Sequence, residues 1–100
     1  MSAPLTTRQI CDLRGRAQRL EAVLKLGKLG ITDGFLKSVN EALDQHELIK
    51  IKFADLKDQK RELAPQLATL TTSTLVTLIG NVAVLYRQQA DPEKRKVDLD

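Results

Sequence analysis

The spacing of apolar residues predicts a first helix that begins at Thr6. Thr6 and Gln9 have the spacing of a capping box, in which each side chain accepts a hydrogen bond from the other residue's amide. A stripe of apolar residues then recurs at helical intervals: Ile10, Leu13, Ala17 and Leu20. At about 100° per residue, three cations fall within roughly an 80° arc beside this stripe: Arg8, Arg16 and Arg19.

A second amphipathic helix is predicted to run from Thr32 to about Gln45. Thr32 is a suitable N-cap, and Asp33 stands where a carboxylate interacts favourably with the helix dipole. The apolar face carries Phe35, Leu36, Val39, Ala42 and Leu43. The opposite face carries Asp33, Lys37, Asn40 and Asp44. His46 continues the apolar face, where a lone histidine is typical of a packed or helix-terminal residue rather than a metal ligand.

Four short segments have the composition and alternation of strands. Ala22–Leu26 is apolar and ends at a glycine. In residues 48–53, Ile49, Ile51 and Phe53 point to one face and two lysines, Lys50 and Lys52, to the other. Residues 74–79 and 82–86 are separated by Gly80-Asn81, which suits a type II′ hairpin turn.

Two parts of the chain are harder to interpret from the pattern. Residues 56–70 have helical spacing, but Pro65 would clash with the carbonyl of Arg61, so a kinked, broken or restarted helix is predicted. Residues 88–100 are polar and charged and contain Pro92, which predicts a mobile charged tail.

The order of elements is helix, strand, helix, strand, helix, strand, strand. Alternating helices and strands favour parallel crossovers, and the closing hairpin adds an antiparallel pair. The predicted fold is therefore an α/β fold, specifically an α+β sandwich in which a four-stranded mixed sheet packs with three helices. Residues 1–87 are expected to form a single domain, since 100 residues suffice for one core.

Composition and charge favour a binding protein over an enzyme. Only three residues are aromatic, which argues against base stacking as the main contact with nucleic acid. Residues 1–31 carry a cationic excess of four, whereas residues 32–49 have a net charge of −3. This asymmetry is consistent with a basic face that binds a polyanion, or equally with an ordinary solvated surface. No catalytic motif and no cluster with metal-ligand spacing is found, so we expect no enzyme activity, metal or cofactor.

The remaining indicators favour a cytoplasmic protein. Cys11 is the only cysteine, so an internal disulfide is impossible, and no signal peptide or membrane-spanning stretch is recognisable. A monomer without membrane contact is expected.

The loop Gly27-Lys28-Leu29-Gly30 joins a predicted strand to a helix N-terminus. Glycines allow close approach of a ligand, and exposed amides beside the helix dipole suit a phosphate. A purely structural turn would explain the two glycines equally well. Gly15, within the first helix, either permits close approach of a ligand backbone or is merely tolerated there at a cost of about 1 kcal/mol relative to alanine. A KH domain also uses a GxxG loop, but between two helices, so that fold does not fit.

Three blocks of the sequence resemble the CRM domain (chloroplast RNA splicing and ribosome maturation), most closely its single-domain, YhbY-like bacterial form. They read L-G-K-L-G-I-T-D-G-F-L, E-A-L-D-Q-H-E-L-I-K-I-K and I-G-N-V-A-V-L-Y-R, and the resemblance covers about residues 5–87. It implies a fold similar to the C-terminal domain of translation initiation factor three. It also implies an RNA-binding protein that associates with ribosomal RNA in precursors of the large subunit and assists assembly.

The expected RNA-binding residues combine the loop with surrounding cations. Lys28 and the amides of Leu29 and Gly30 would bind phosphate. The full set is Gly27, Lys28, Leu29, Gly30, Arg8, Arg16, Arg19, Lys50, Lys52 and Arg87. The alternative is a protein-interaction module that docks on a ribosomal protein through its acidic second helix, at Asp33, Glu41 and Asp44.

Overall fold

A computed structural model describes residues 5–97 and contains the predicted order of three helices and four strands. The helices are α1 (Thr7–Ala17), α2 (Asp33–His46) and α3 (Lys60–Leu70). The strands are β1 (Leu24–Leu26), β2 (Leu48–Phe53), β3 (Thr74–Ile79) and β4 (Val82–Tyr86). Two short 3-10 turns, Lys57–Gln59 and Pro92–Lys94, were not predicted.

The strands form one mixed sheet in the order β1-β2-β4-β3. β1 and β2 are parallel, and β4 is antiparallel to both β2 and β3. The predicted fold class is therefore confirmed. The register places the end of β1, the end of β2 and the β3–β4 turn at one edge of the sheet. We call this edge, with the segments that join these strands to the next elements, the loop edge.

Helices cover both faces of the sheet. The larger core lies under α2 and α3, where Ile49, Ile51 and Phe53 of β2 are fully buried as the alternation predicts. On the other face, α1 packs against β2, β3 and β4 through Leu13 and Ala17. The second face of β2 is therefore not wholly basic, because Leu48 is buried there under α1 while Lys52 is exposed.

The hairpin contains an irregularity that the sequence pattern did not reveal. The partners of β4 shift between Leu75 and Thr77, so Val76 is an extra residue in β3. This bulge lets Leu75 and Leu78 face the same core although they are three residues apart. Between the strands, Gly80 has a φ of 57° and Asn81 does not have a positive φ, which agrees with the predicted type II′ turn.

Helix α1 begins as predicted but ends earlier. Both bonds of the Thr6–Gln9 capping box are present. The helix stops at Ala17, its last buried residue, and the amides of Arg19 and Leu20 donate to carbonyls three residues back, in tightened turns. Arg19 and Leu20 therefore lie in the connection to β1, and their predicted helical positions were wrong. The three-residue β1 is also shorter than the predicted strand Ala22–Leu26.

Helix α3 continues from Lys60 to Leu70 through Pro65, so of the predicted alternatives the broken and the restarted helix do not occur. Proline removes the amide that would donate to Arg61, but both residues are exposed, and water can bond to the free carbonyl. Ala64, Leu67 and Ala68 are buried against the main core and hold the helix in place. Tertiary packing therefore outweighs the local cost of proline.

The segment predicted to be a mobile tail contacts the domain at a few positions. Residues 88 and 90–96 are exposed, whereas Gln89 is half-buried and Val97 is buried; residues 98–100 lie outside the described part. Glu47, which is fully buried with a φ of 63°, binds this segment. Its carboxylate accepts from the amides of Gln89 (2.8 Å), Val97 (2.8 Å) and Lys96. Val97 is buried beside α1.

Burial raises the pKa of Glu47, but the hydrogen bonds from the three amides and the nearby charge of Arg95 together lower it by more. The pKa of Glu47 is therefore below the ordinary value. The sequence pattern could not reveal this contact, because the amide donors come from the backbone and are independent of side-chain type.

Candidate nucleic-acid interface

The Gly27–Gly30 loop forms a tight turn at the loop edge. The amide of Gly30 donates to the carbonyl of Gly27 at 3.1 Å, and neither Lys28 nor Leu29 has a positive φ, as in a type I turn. The two glycines have different structural roles. Gly30 has a φ of 69°, which other residues adopt at a cost, whereas a Cβ at Gly27 would meet nothing within 4 Å. The turn therefore accounts for Gly30 but not for Gly27.

The turn changes which amides are available to an anion. We expected the amides of Leu29 and Gly30 to bind phosphate, but the Gly30 amide is already used within the turn. Within residues 5–97, the amides of Lys28 and Leu29 have no acceptor. Leu29 is 87% exposed at the tip. Successive free amides beside an exposed lysine can bind a phosphate oxygen.

The following helix contributes less to an anion site than the sequence indicated. The Thr32 hydroxyl accepts from the amide of Phe35 at 3.0 Å, as predicted for an N-cap. Asp33, however, places an exposed carboxylate in the first turn of α2. Its negative charge opposes a phosphate at the helix start, so the turn itself is the better anion site.

Two lysines lie side by side on the sheet next to the loop. Lys25 of β1 and Lys52 of β2 are register partners, about 5 Å apart at Cα, and both are exposed. Lys25 was not among the predicted site residues. Its position three residues before Lys28 could have indicated it, but only the parallel register brings it beside Lys52.

The basic surface continues along the same face towards α1. Lys50 is two residues before Lys52, and its Nζ donates to the Leu20 carbonyl at 3.0 Å. This contact places Lys50 against the α1–β1 connection, which carries Arg19. We define the basic track as Lys28, Lys25, Lys52, Lys50 and Arg19.

The other two predicted α1 cations are exposed on the helix itself. Arg16 forms an ion pair with Asp12 (Nε to Oδ1, 3.1 Å), one turn earlier on α1. Arg8 is a further turn towards the N-terminus and shares that side of the helix. Arg16 lines a groove together with Arg19, so it borders the basic track.

Arg87 does not belong to this surface. β4 runs away from the loop edge, so Arg87 lies at the opposite edge of the sheet, on the side of α2 and α3. Its Nη1 donates to Asn40 Oδ1 and to the Thr71 carbonyl, both at 2.7 Å. Its Nη2 donates to the Asn40 carbonyl at 3.1 Å and to Asp44 at 2.8 Å. Protein acceptors therefore occupy the guanidinium, and Arg87 is a structural residue.

Residues 5–97 contain no group of metal-ligating side chains and no helix long and apolar enough to cross a bilayer. His46 is exposed at the end of α2 rather than packed on its apolar face. The fold and surface define a small α+β domain with a glycine-bounded turn and a basic track along one face.

The chain belongs to the CRS1 / YhbY (CRM) domain family, whose model matches residues 5–87. The family resemblance predicted from the three sequence blocks is therefore confirmed. The match ends at Arg87, before the segment that Glu47 binds.

Relatives and one solved structure support this assignment. Bacillus subtilis YqeI, named a probable RNA-binding protein, is 34% identical over 96 residues, covering 95% of this chain and 98% of its own. A Haemophilus influenzae protein named as RNA-binding is 36% identical, covering 95% and 94%. The solution structure of Staphylococcus aureus SAV1595, described as a candidate RNA-binding protein, has a TM-score of 0.77 and 32% identity, covering 95% and 100%.

Proposed function

We propose that this protein binds RNA through the Gly27–Gly30 turn and the basic track. The observation that carries the proposal is the pair of free amides at Lys28 and Leu29, next to the adjacent lysines Lys25 and Lys52. The turn offers hydrogen bonds to one phosphate, and the track offers cations to the phosphates that follow. The names of the relatives agree with this role.

The target we propose is ribosomal RNA in precursors of the large subunit, in the cytoplasm, where the protein assists assembly without catalysis. The likeness to the CRM family supports this target. The surface supports recognition by backbone shape, because the aromatic residues are not available as a stacking platform. Phe53 and Tyr86 are buried and Phe35 is packed against the core.

Charge reversal at the turn tests the proposal. The variant Lys28→Glu/Leu29→Glu should weaken binding to a paired RNA hairpin by about tenfold or more and reduce its salt dependence, because phosphate contacts release counterions. The free energy of unfolding should change little, since both side chains are exposed.

A matched control variant is Lys37→Glu/Leu70→Glu, which makes the same changes at exposed positions of α2 and α3. It should bind the hairpin nearly as well as the native protein. Equal losses in the two variants would mean that net charge matters but the turn does not, and the assignment of the turn would then be rejected.

The protein-docking alternative predicts that a partner is retained after nuclease treatment. This alternative relies on the carboxylates of Asp33, Glu41 and Asp44, but the Asp44 carboxylate forms an intramolecular ion pair with Arg87. The exposed face of α2 therefore offers fewer free carboxylates than the sequence indicated, and RNA binding is the better-supported proposal.

A further inference from the structure

A groove beside α1 has features that neither the turn nor the packing of the domain explains. It lies between α1, the α1–β1 connection, the start of β2 and residues 96–97. Its volume is about 1120 Å³, slightly above the ~300–1,000 Å³ of typical small-ligand sites. The groove is therefore large enough for a nucleotide-sized group.

The groove has an apolar wall that is open to solvent. Leu20 is 39% exposed and Val23 is 47% exposed, and both line it. These are two of the few large apolar side chains on the described surface. Apolar surface left exposed in a concave site is typical of a binding site.

Gly15 supplies a second, independent observation. It lies inside α1, where glycine costs about 1 kcal/mol relative to alanine. A Cβ at this position would meet nothing within 4 Å, so packing does not require glycine. Gly15 lines the groove, and the missing side chain keeps that wall open.

Charged residues at the groove have a small cationic excess. Arg16, Arg19 and Lys96 line it together with two carboxylates, Asp12 and Glu21. The Asp12 carboxylate is paired with Arg16. The exposed guanidinium of Arg19 can stack on a base or pair with a phosphate.

The groove is continuous with the basic track. Arg19 belongs to both, and the Leu20 carbonyl accepts the hydrogen bond from Lys50. A nucleic-acid backbone that follows the track from the turn would therefore arrive at an apolar wall flanked by cations. An acidic peptide would use the cations but has no need of continuity with the phosphate-binding turn.

We propose that the groove receives an unpaired nucleotide of a folded RNA whose backbone lies on the basic track. The base would contact Leu20 and Val23 in the space that the missing side chain of Gly15 leaves open. Arg19 would stack on the base or bind its phosphate. Bases in a duplex are stacked and cannot offer a face to the groove, so a bulge or loop is required. This inference rests on the proposed RNA-binding function and adds the class of RNA.

The test compares two RNA hairpins of equal stem length, one fully paired and one with a single unpaired adenosine. The native protein should bind the bulged hairpin about fivefold or more tightly than the paired one. Leu20→Ser/Val23→Ser should abolish this preference and leave affinity for the paired hairpin unchanged. The matched control Leu70→Ser/Ile79→Ser replaces two other exposed apolar residues and should retain the preference.

Methyl NMR spectra give a direct readout of the contact. The bulged hairpin should shift the methyl signals of Leu20 and Val23, and the paired hairpin should not. Equal affinity for both hairpins, or a preference that survives in Leu20→Ser/Val23→Ser, would overturn the groove proposal and leave the turn proposal intact.

Two further outcomes separate the proposals. Shifts of these methyl groups by an oligoglutamate peptide but not by the bulged hairpin would indicate a protein partner and reject the nucleotide. Absence of binding to both hairpins would reject the proposed RNA function itself, together with the inference that rests on it.

Discussion

Replacement of each glycine of the turn by alanine is expected to have a different effect. Gly30→Ala should lower the free energy of unfolding by about 1–2 kcal/mol, because the φ of 69° is unfavourable for residues with a Cβ. Gly27→Ala should leave stability within about 0.5 kcal/mol, because its Cβ would meet nothing. Gly27→Ala should nevertheless weaken RNA binding about threefold to tenfold, because the added methyl group would hinder the close approach of a phosphate to residue 27. The size of the effect is that expected for the loss of one hydrogen bond between the turn and the phosphate.

Urea unfolding and titration with the paired hairpin measure both effects. The two variants serve as controls for each other, since each changes one glycine of the same turn. If Gly27→Ala bound RNA as tightly as the native protein, the close approach of phosphate to residue 27 would be disproved.

Tyr86 has a hydroxyl group that forms no hydrogen bond with the described residues. Its ring is buried under α1. Burial raises its pKa, as does the carboxylate of Glu47, while Arg95 and Arg16 oppose the shift.

Tyr86→Phe should therefore leave the free energy of unfolding unchanged or raise it by up to about 1 kcal/mol, because an unsatisfied hydroxyl is removed from the interior. Thermal and urea unfolding of the pair of proteins measures this. A loss greater than about 1 kcal/mol would mean that the hydroxyl has a partner, such as a bound water.

At the scale of elements, Arg87 joins α2, the end of α3 and the end of β4. Its guanidinium binds side-chain and backbone oxygens of Asn40, the Thr71 carbonyl and Asp44. Arg87→Lys should lower the free energy of unfolding by about 2–3 kcal/mol, since an ammonium cannot reproduce this planar set of bonds.

RNA affinity should not change for this variant at a temperature where it remains folded. Arg61→Lys, at an exposed position of α3, is the matched control for stability. Weaker RNA binding by folded Arg87→Lys would return Arg87 to the set of RNA-binding residues.

Elements with a clear apolar period could be predicted from the sequence, and those that depend on distant contacts could not. The capping box at Thr6, the alternation in β2 and the Gly80 turn are local, so their residues determine them directly. The end of α1, by contrast, depends on where the core stops at Ala17. The continuity of α3 through Pro65 depends on the burial of Leu67 against the core, and this tertiary contact cannot be predicted from the residues around Pro65.

The same division applies to the candidate site. The turn and Lys28 were recognisable because glycine spacing is local. The role of Lys25 depends on the parallel register with Lys52, and that of Arg87 on acceptors more than ten residues away. Charge alone does not distinguish a cation that faces solvent from one that holds three elements together.

At the scale of the whole molecule, Glu47 links the domain to residues beyond the family match. Its folded-state pKa lies below the ordinary value of 4.5. The unfolded chain therefore binds more protons than the folded protein as the pH falls. The stabilising contribution is complete above pH 4.5 and is lost as the pH falls through the lower folded-state pKa.

Glu47→Gln should lower the free energy of unfolding at pH 7 by about 2 kcal/mol, because a neutral amide replaces a buried carboxylate bonded to three amides. The difference between the two proteins should shrink as the pH falls below 4.5 and through the lower folded-state pKa. Urea unfolding at several pH values measures it. Glu41→Gln, at an exposed position of α2, is the matched control, and a pH-independent difference would contradict the assignment.

The bulge in β3 has a consequence for behaviour at high concentration. β3 is an outer strand with β4 on one side only, and residues 74–79 carry no charge. An uncharged edge strand is a template on which further chains can add and grow into fibrils. The extra residue at Val76 twists and interrupts this edge, so an incoming strand cannot pair along its full length. At the outer edge of β3, which has no charged residues to discourage aggregation, the bulge thus provides this protection.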